Sequence, residues 1–121
     1  MRAFIVILFL LILVPKIEAC EEWTTTNTTL EWIHEGLVVI DYMQTRAFVA
    51  FGHPEMNPLL GEHPSPAQIN ERIALGLVTH YLISCWLSPK ERLIWQGLNI
   101  GIEFWAVENN AAIMTSYNIS W

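Results

Sequence analysis

The stretch SPAQINERIALGLVTHYLISCWLSPKE, residues 65–91, decides the fold. It opens on Ser65-x-x-Gln68 and closes on Ser88-x-x-Glu91. Each reads as a capping box, in which paired side chains satisfy the free N–H groups of a first helical turn. Pro66 and Pro89 follow the two serines, at the one helical position where a missing N–H costs nothing. An apolar helix therefore fills the interval. The link at Ser88 is so short that the next helix must fold back against it as a hairpin.

Upstream, Thr28-x-x-Glu31 gives a third capping box before another apolar run. Gly52 and Pro54 end that run. The spacing predicts helices over about 29–51, 66–87 and 89–111, with Met114 to Trp121 as a loose tail. No strand alternation, repeat or low-complexity segment competes. The expectation is an all-α protein, a three-helix bundle forming a single helical domain over 20–121, preceded by an N-terminal signal or anchor helix.

That leader occupies residues 1–19. Arg2 precedes an unbroken apolar run, Ala3 to Val14, closed by Pro15 and the exit Ile17-Glu18-Ala19. Twelve helical residues reach only about 18 Å, short of the roughly 30 Å hydrocarbon core, which favours an export signal over a stable span. Without it, the remainder is roughly 48% hydrophobic, inside the soluble range, so composition leaves membrane residence open. The net charge of −6 is spread along the chain, and six Lys and Arg without a cluster exclude a nucleic-acid-binding stripe. Cys20 and Cys85 leave three readings open: a lipid-carrying Cys20, a disulfide between the two, or Cys85 as a small buried hydrophobe.

Each helix would be about 33 Å long, which suits a bilayer span and equally a compact exported bundle. The polar stripes are narrow. On helix three Arg92, Gln96, Asn99, Glu103 and Asn110 share one line, and nearly everything else is apolar. On helix one His34, Asp41 and Thr45 share a stripe, with Glu31 beside it. Three helices cannot bury that much apolar circumference alone. Lipid, a membrane or envelope protein, or a second copy must cover the rest, with Gly97-x-x-x-Gly101 as a place for close helix approach. These faces favour a membrane-embedded or membrane-bound bundle.

The ionisable residues nearest mid-helix are Asp41, His80 and Glu103, with Gln44, Thr45, Gln96 and Asn99 around them. Two readings follow: a polar network in which His80 links Asp41 to Glu103, or a divalent-metal site on those three donors. The network is the more economical, because no local ligand spacing supports the metal. The loop Gly52 to Pro64 joins the same signature: three prolines stiffen it, Gly61 permits a reversal, and Glu55 and Asn57 can cap its backbone or reach back to Thr45 and Arg46. No nucleophile sits in a recognisable catalytic setting.

The pattern Asp41-x-x-Gln44-Thr45, Glu55-x-Asn57-Pro58-x-Leu60-Gly61-x-His63-Pro64-Ser65, with His80, Leu87-Ser88-Pro89, Arg92 and Gln96 to Glu103, resembles a group of small helical proteins encoded by tailed bacteriophages and prophages. It covers about residues 28–110. A looser likeness links Asp and Thr on a helix followed by Glu-x-Asn-Pro to a bacterial integral-membrane domain of unknown function. The resemblance implies origin and architecture, not a reaction.

The expected role is therefore a non-enzymatic small envelope or membrane protein of phage or prophage origin, without a cofactor, acting through helix–helix or partner contacts. Host-lysis support and superinfection exclusion are settings it would suit. The alternatives are a metal-dependent membrane enzyme using Asp41, His80 and Glu103, and a soluble periplasmic inhibitor or immunity protein. In each case the chain is exported, and membrane-associated or periplasmic.

Overall fold

The computed structural model describes residues 20, 22–55 and 57–120. The expected signal or anchor at 1–19 lies outside the described residues. Three helices follow in order: α1 Thr25–Phe51, α2 Pro66–Trp86 and α3 Pro89–Tyr117. Among the described residues there is no strand. The all-helical class and the three helices agree with the sequence.

The boundaries differ at both ends. Helix α1 starts earlier than expected, because the cap is Thr24, not Thr28. The Thr24 hydroxyl accepts from the Asn27 N–H at 3.2 Å, and Asn27 Oδ1 accepts from the Thr24 N–H at 3.0 Å. Glu31, expected to close a capping box, is thereby released into the bundle interior. The Ser65 box forms as expected, with Gln68 N–H donating to Ser65 Oγ at 3.2 Å and Ser65 N–H donating to Gln68 Oε1 at 2.8 Å. At Ser88, both the N–H and the hydroxyl donate to Glu91 Oε2, at 3.1 and 2.6 Å.

The expected loose tail from Met114 is corrected. Helix α3 runs on to Tyr117 and ends at Asn118, whose positive φ of 53° turns the chain out of the helix. Met114 is buried, so this last stretch is held by packing against the bundle.

Helix α1 packs mainly along α3, with α2 laid against both. A disulfide joins Cys20 to Cys85, tying the residues before α1 to the end of α2. Of the three readings of the cysteines, the disulfide is the one present, and it occupies the Cys20 sulfur that lipidation would need.

The interior is mostly polar. Among the described residues Val38, Phe48, Ile69 and Met114 are the buried hydrophobic ones, whereas Asn27, Glu31, His34, Gln44, Thr45, His80, Ser84, Arg92 and Gln96 are all buried too. Large apolar side chains lie outside, among them Trp32, Val39, Met43, Leu98, Ile102 and Trp105. A water-soluble bundle normally shows the opposite arrangement.

Among the described residues no helix is long and apolar enough to cross a membrane. The expectation of spans by these helices is corrected on that point. Length is not the obstacle, since α1, α2 and α3 have 27, 21 and 29 residues. Polar residues recur along the inner stripe of α1 and α3, and α2 carries Gln68, Asn70, Glu71 and Arg72 in its first half.

Candidate functional site

The inner face of α1 is written at helical spacing: Asn27, Glu31, His34, Val38, Thr45 and Phe48 are all buried. Opposite them α3 presents Arg92 and Gln96, and α2 presents His80 and Ser84. Side chains from three helices thus meet in one buried polar cluster.

Gln96 is its hub. Its amide nitrogen donates to the Asn27 carbonyl at 3.1 Å and to Glu31 Oε2 at 2.9 Å, while its oxygen accepts from Asn27 Nδ2 at 3.0 Å. Both amide protons are used. His80 Nε2 donates to the same Glu31 oxygen at 3.2 Å. Burial pushes the Glu31 carboxyl up, but the His80 and Gln96 hydrogen bonds and the charge of the two histidines outweigh it, so its pKa is lowered. Glu31 is therefore an ionised acceptor in the bundle interior.

The His34 ring stacks on His80, with centroids 3.8 Å apart and planes 20° from parallel. Trp95 covers the His80 ring in turn, at 5.6 Å and 22°. Burial, and then repulsion from His80, depress the His34 pKa to about 4 against the pull of Glu31. His34 is neutral at pH 7. The Nδ1 atoms of His34 and His80 are both buried without a hydrogen-bond partner.

Arg92, fully buried, closes the end of the bundle near the disulfide. Its Nε donates to the Ser84 carbonyl at 2.6 Å, and its terminal nitrogens to the Leu87 and Glu22 carbonyls at 3.0 and 3.3 Å. The guanidinium lies over the Trp23 ring at 5.1 Å. It serves carbonyls that the α2–α3 turn and the start of the chain leave without helical partners.

A second polar group lies further along the bundle. Asn110 Nδ2 donates to Asp41 Oδ1 at 2.7 Å, and Gln44 Nε2 donates to the Val107 carbonyl at 3.2 Å. Burial raises the Asp41 carboxyl, Glu55 adds to the rise, and Asn110 opposes it. Glu103 is pushed up to about 7, by burial first and then by the charge of Asp41, with His80 pulling the other way.

Several sequence expectations change here. His80 does not join Asp41 to Glu103; its carboxylate partner is Glu31. Asp41, His80 and Glu103 do not form the expected three-donor metal set. Among the described residues, the donors that converge are Glu31, His34 and His80, each offering one ligand atom within 4.8 Å of the others. Asn99 donates to the Trp95 carbonyl of its own helix at 2.8 Å. Thr45 is buried, as Gln44 is.

The loop plays a local part. Glu55 Oε1 accepts from the Asn57 N–H at 2.8 Å, and Asn57 Oδ1 accepts from the Leu59 N–H at 3.0 Å. The Glu55 N–H donates to the Glu62 carbonyl at 2.9 Å, closing the reversal in which Gly61 adopts a φ of 80°. Both side chains cap loop backbone.

No protein-family model, curated protein or solved structure matches the chain.

The cluster can hold a proton or a cation between an ionised carboxylate and two imidazoles. Asn27, Glu31, His34 and Ser84 are members that the sequence signature omitted. The signal for two of them was present, since His34 falls on the Asp41–Thr45 stripe with Glu31 beside it.

Proposed function

We propose that the chain is a non-enzymatic, membrane-associated contact protein of the small helical kind found in tailed phages and prophages, working through its apolar outer surface. Host-lysis support and exclusion of competing phages are the settings this reading favours. One observation carries it: the polar side chains are turned inward while the large apolar ones are turned out. Ile94, Leu98, Ile102 and Trp105 follow at spacings of four, four and three along α3, exposed by 55, 61, 62 and 67%. Leu93 and Phe104 are also exposed on α3, and Trp32, Val39 and Met43 form an exposed apolar stripe on α1. Monomeric soluble proteins rarely leave contiguous patches of this kind in water.

Lipid at the bilayer interface is the occupant that fits. A helix can lie in the interface plane with its apolar face in the acyl boundary, so a crossing segment is not required. With six Lys and Arg and a net charge of −6, the attraction comes from apolar burial and not from anionic headgroups. Vesicle flotation tests this. The full chain is expected to float with purely zwitterionic vesicles and to gain nothing from added anionic lipid. The Leu98→Glu, Ile102→Glu double variant is expected to lose most of that binding. A chain that stays in the aqueous fraction as a monodisperse monomer or soluble oligomer would overturn the reading.

A further inference from the structure

We propose that Glu31, His34 and His80 form a binding site for one divalent transition-metal ion of the zinc class. The donors come from two helices. Glu31-x-x-His34 places a carboxylate and an imidazole three residues apart on the inner face of α1, the spacing by which helical bundles present metal ligands inward. His80 meets them from α2, and one ligand atom of each lies within 4.8 Å of the other two. All three are buried, so the ligands are already desolvated and held by packing.

The chemistry and dimensions agree. Two imidazoles and one carboxylate form a borderline N2O donor set, which suits zinc and leaves a fourth tetrahedral position open. Glu31 Oε2 and His80 Nε2 are 3.2 Å apart. Two tetrahedral ligands with bonds of roughly 2.0–2.1 Å are separated by about 3.4 Å. A cation between these two atoms therefore needs little movement there. Gln96, donating to Glu31 Oε2, fixes the carboxylate as an outer partner of a ligand does.

The stack is the element that must change. Imidazole lone pairs lie in the ring plane, so near-parallel rings cannot both aim at one ion. His80 is held by Glu31 and lies between His34 and Trp95. The His34 Nδ1 has no hydrogen-bond partner, so His34 is the ring that turns.

The test is a Zn2+ titration of the chelator-treated full chain, with bound metal counted by elemental analysis. One Zn2+ per chain is expected. His34→Gln should weaken binding by about tenfold or more, the scale on which even outer partners of a metal act. His80→Gln should do the same, and Asp41→Asn should leave binding unchanged. Circular dichroism establishes that each variant is helical; if His80→Gln unfolds, His34→Gln and Glu31→Gln carry the test. Absence of stoichiometric Zn2+ in the folded wild-type chain would overturn the proposal. Undiminished binding by folded His34→Gln and Glu31→Gln would do so equally.

Discussion

The imidazole of His34 lies face to face with that of His80, 3.8 Å between centroids, inside a bundle where both rings are buried. Two protonated rings at that separation would repel each other strongly, and Glu31 supplies only one carboxylate between them. Burial first, and then this repulsion, depress the pKa of His34.

A pH dependence follows. His34 has an ordinary value of 6.5 and a folded value of about 4. Between them the unfolded chain binds a proton that the folded chain refuses, so stability rises with pH. The His34 contribution is complete above 6.5 and is lost as pH falls through that window toward 4. Urea midpoints measured from pH 4 to 7 should fall on acidification, and His34→Gln should flatten the slope.

Glu103 acts in the opposite sense. Its carboxyl rises from 4.5 to about 7, so the folded chain holds a proton that the unfolded chain releases. Its contribution is complete below 4.5 and is lost as pH rises through 7. Glu103→Gln should therefore raise the urea midpoint at pH 8 and leave it nearly unchanged at pH 4.5. A variant less stable than the wild type at pH 8 would contradict the assignment of burial as the cause.

Arg92 is expected to resist conservative replacement. Its fork reaches the carbonyls of Ser84, Leu87 and Glu22 from one buried position. Lysine has a single nitrogen on a flexible stem and cannot span the three directions. An unsatisfied buried acceptor costs about 1–3 kcal/mol. Arg92→Lys should lose at least that much in chemical denaturation, and the turn at Ser88 should show faster amide exchange.

The disulfide can be tested separately. Cys20 and Cys85 are 65 residues apart in sequence, and closing a loop of that order stabilises by about 4 kcal/mol in the chain-entropy description. Cys85→Ser should lower the urea midpoint by a comparable free energy. Reduction of the wild type should reproduce the loss.

Much of the fold is legible in the residues themselves. Ser65-Pro66 and Ser88-Pro89 mark helix starts because proline and a capping hydroxyl act locally, whatever packs above them. Glu31 is misread for the complementary reason. Thr28-x-x-Glu31 fits the usual box, but Thr24 with Asn27 captures the first turn, and Glu31 is drawn to His80 and Gln96 across the bundle. A choice between a local and a cross-helix hydrogen bond depends on distances that sequence spacing does not contain. The end of α3 is misread likewise, because Met114 is recruited by packing and not by any local signal. Asp41, His80 and Glu103 lie nearest the middle of the chain's helices in sequence, yet His80 meets Glu31, well short of Asp41 along α1.

The polar interior also inverts which positions should forgive mutation. In an ordinary bundle the interior accepts one hydrophobe for another and the outside accepts almost anything. Here Gln96 has both amide protons and its oxygen committed, so few other side chains can occupy its place. The outer positions Leu98 and Ile102 should trade freely among greasy residues and reject charge. A saturation scan of this chain would therefore find its strictest chemical grammar at the centre, spelled in amides, imidazoles and one guanidinium, with a permissive vocabulary of hydrocarbon around it.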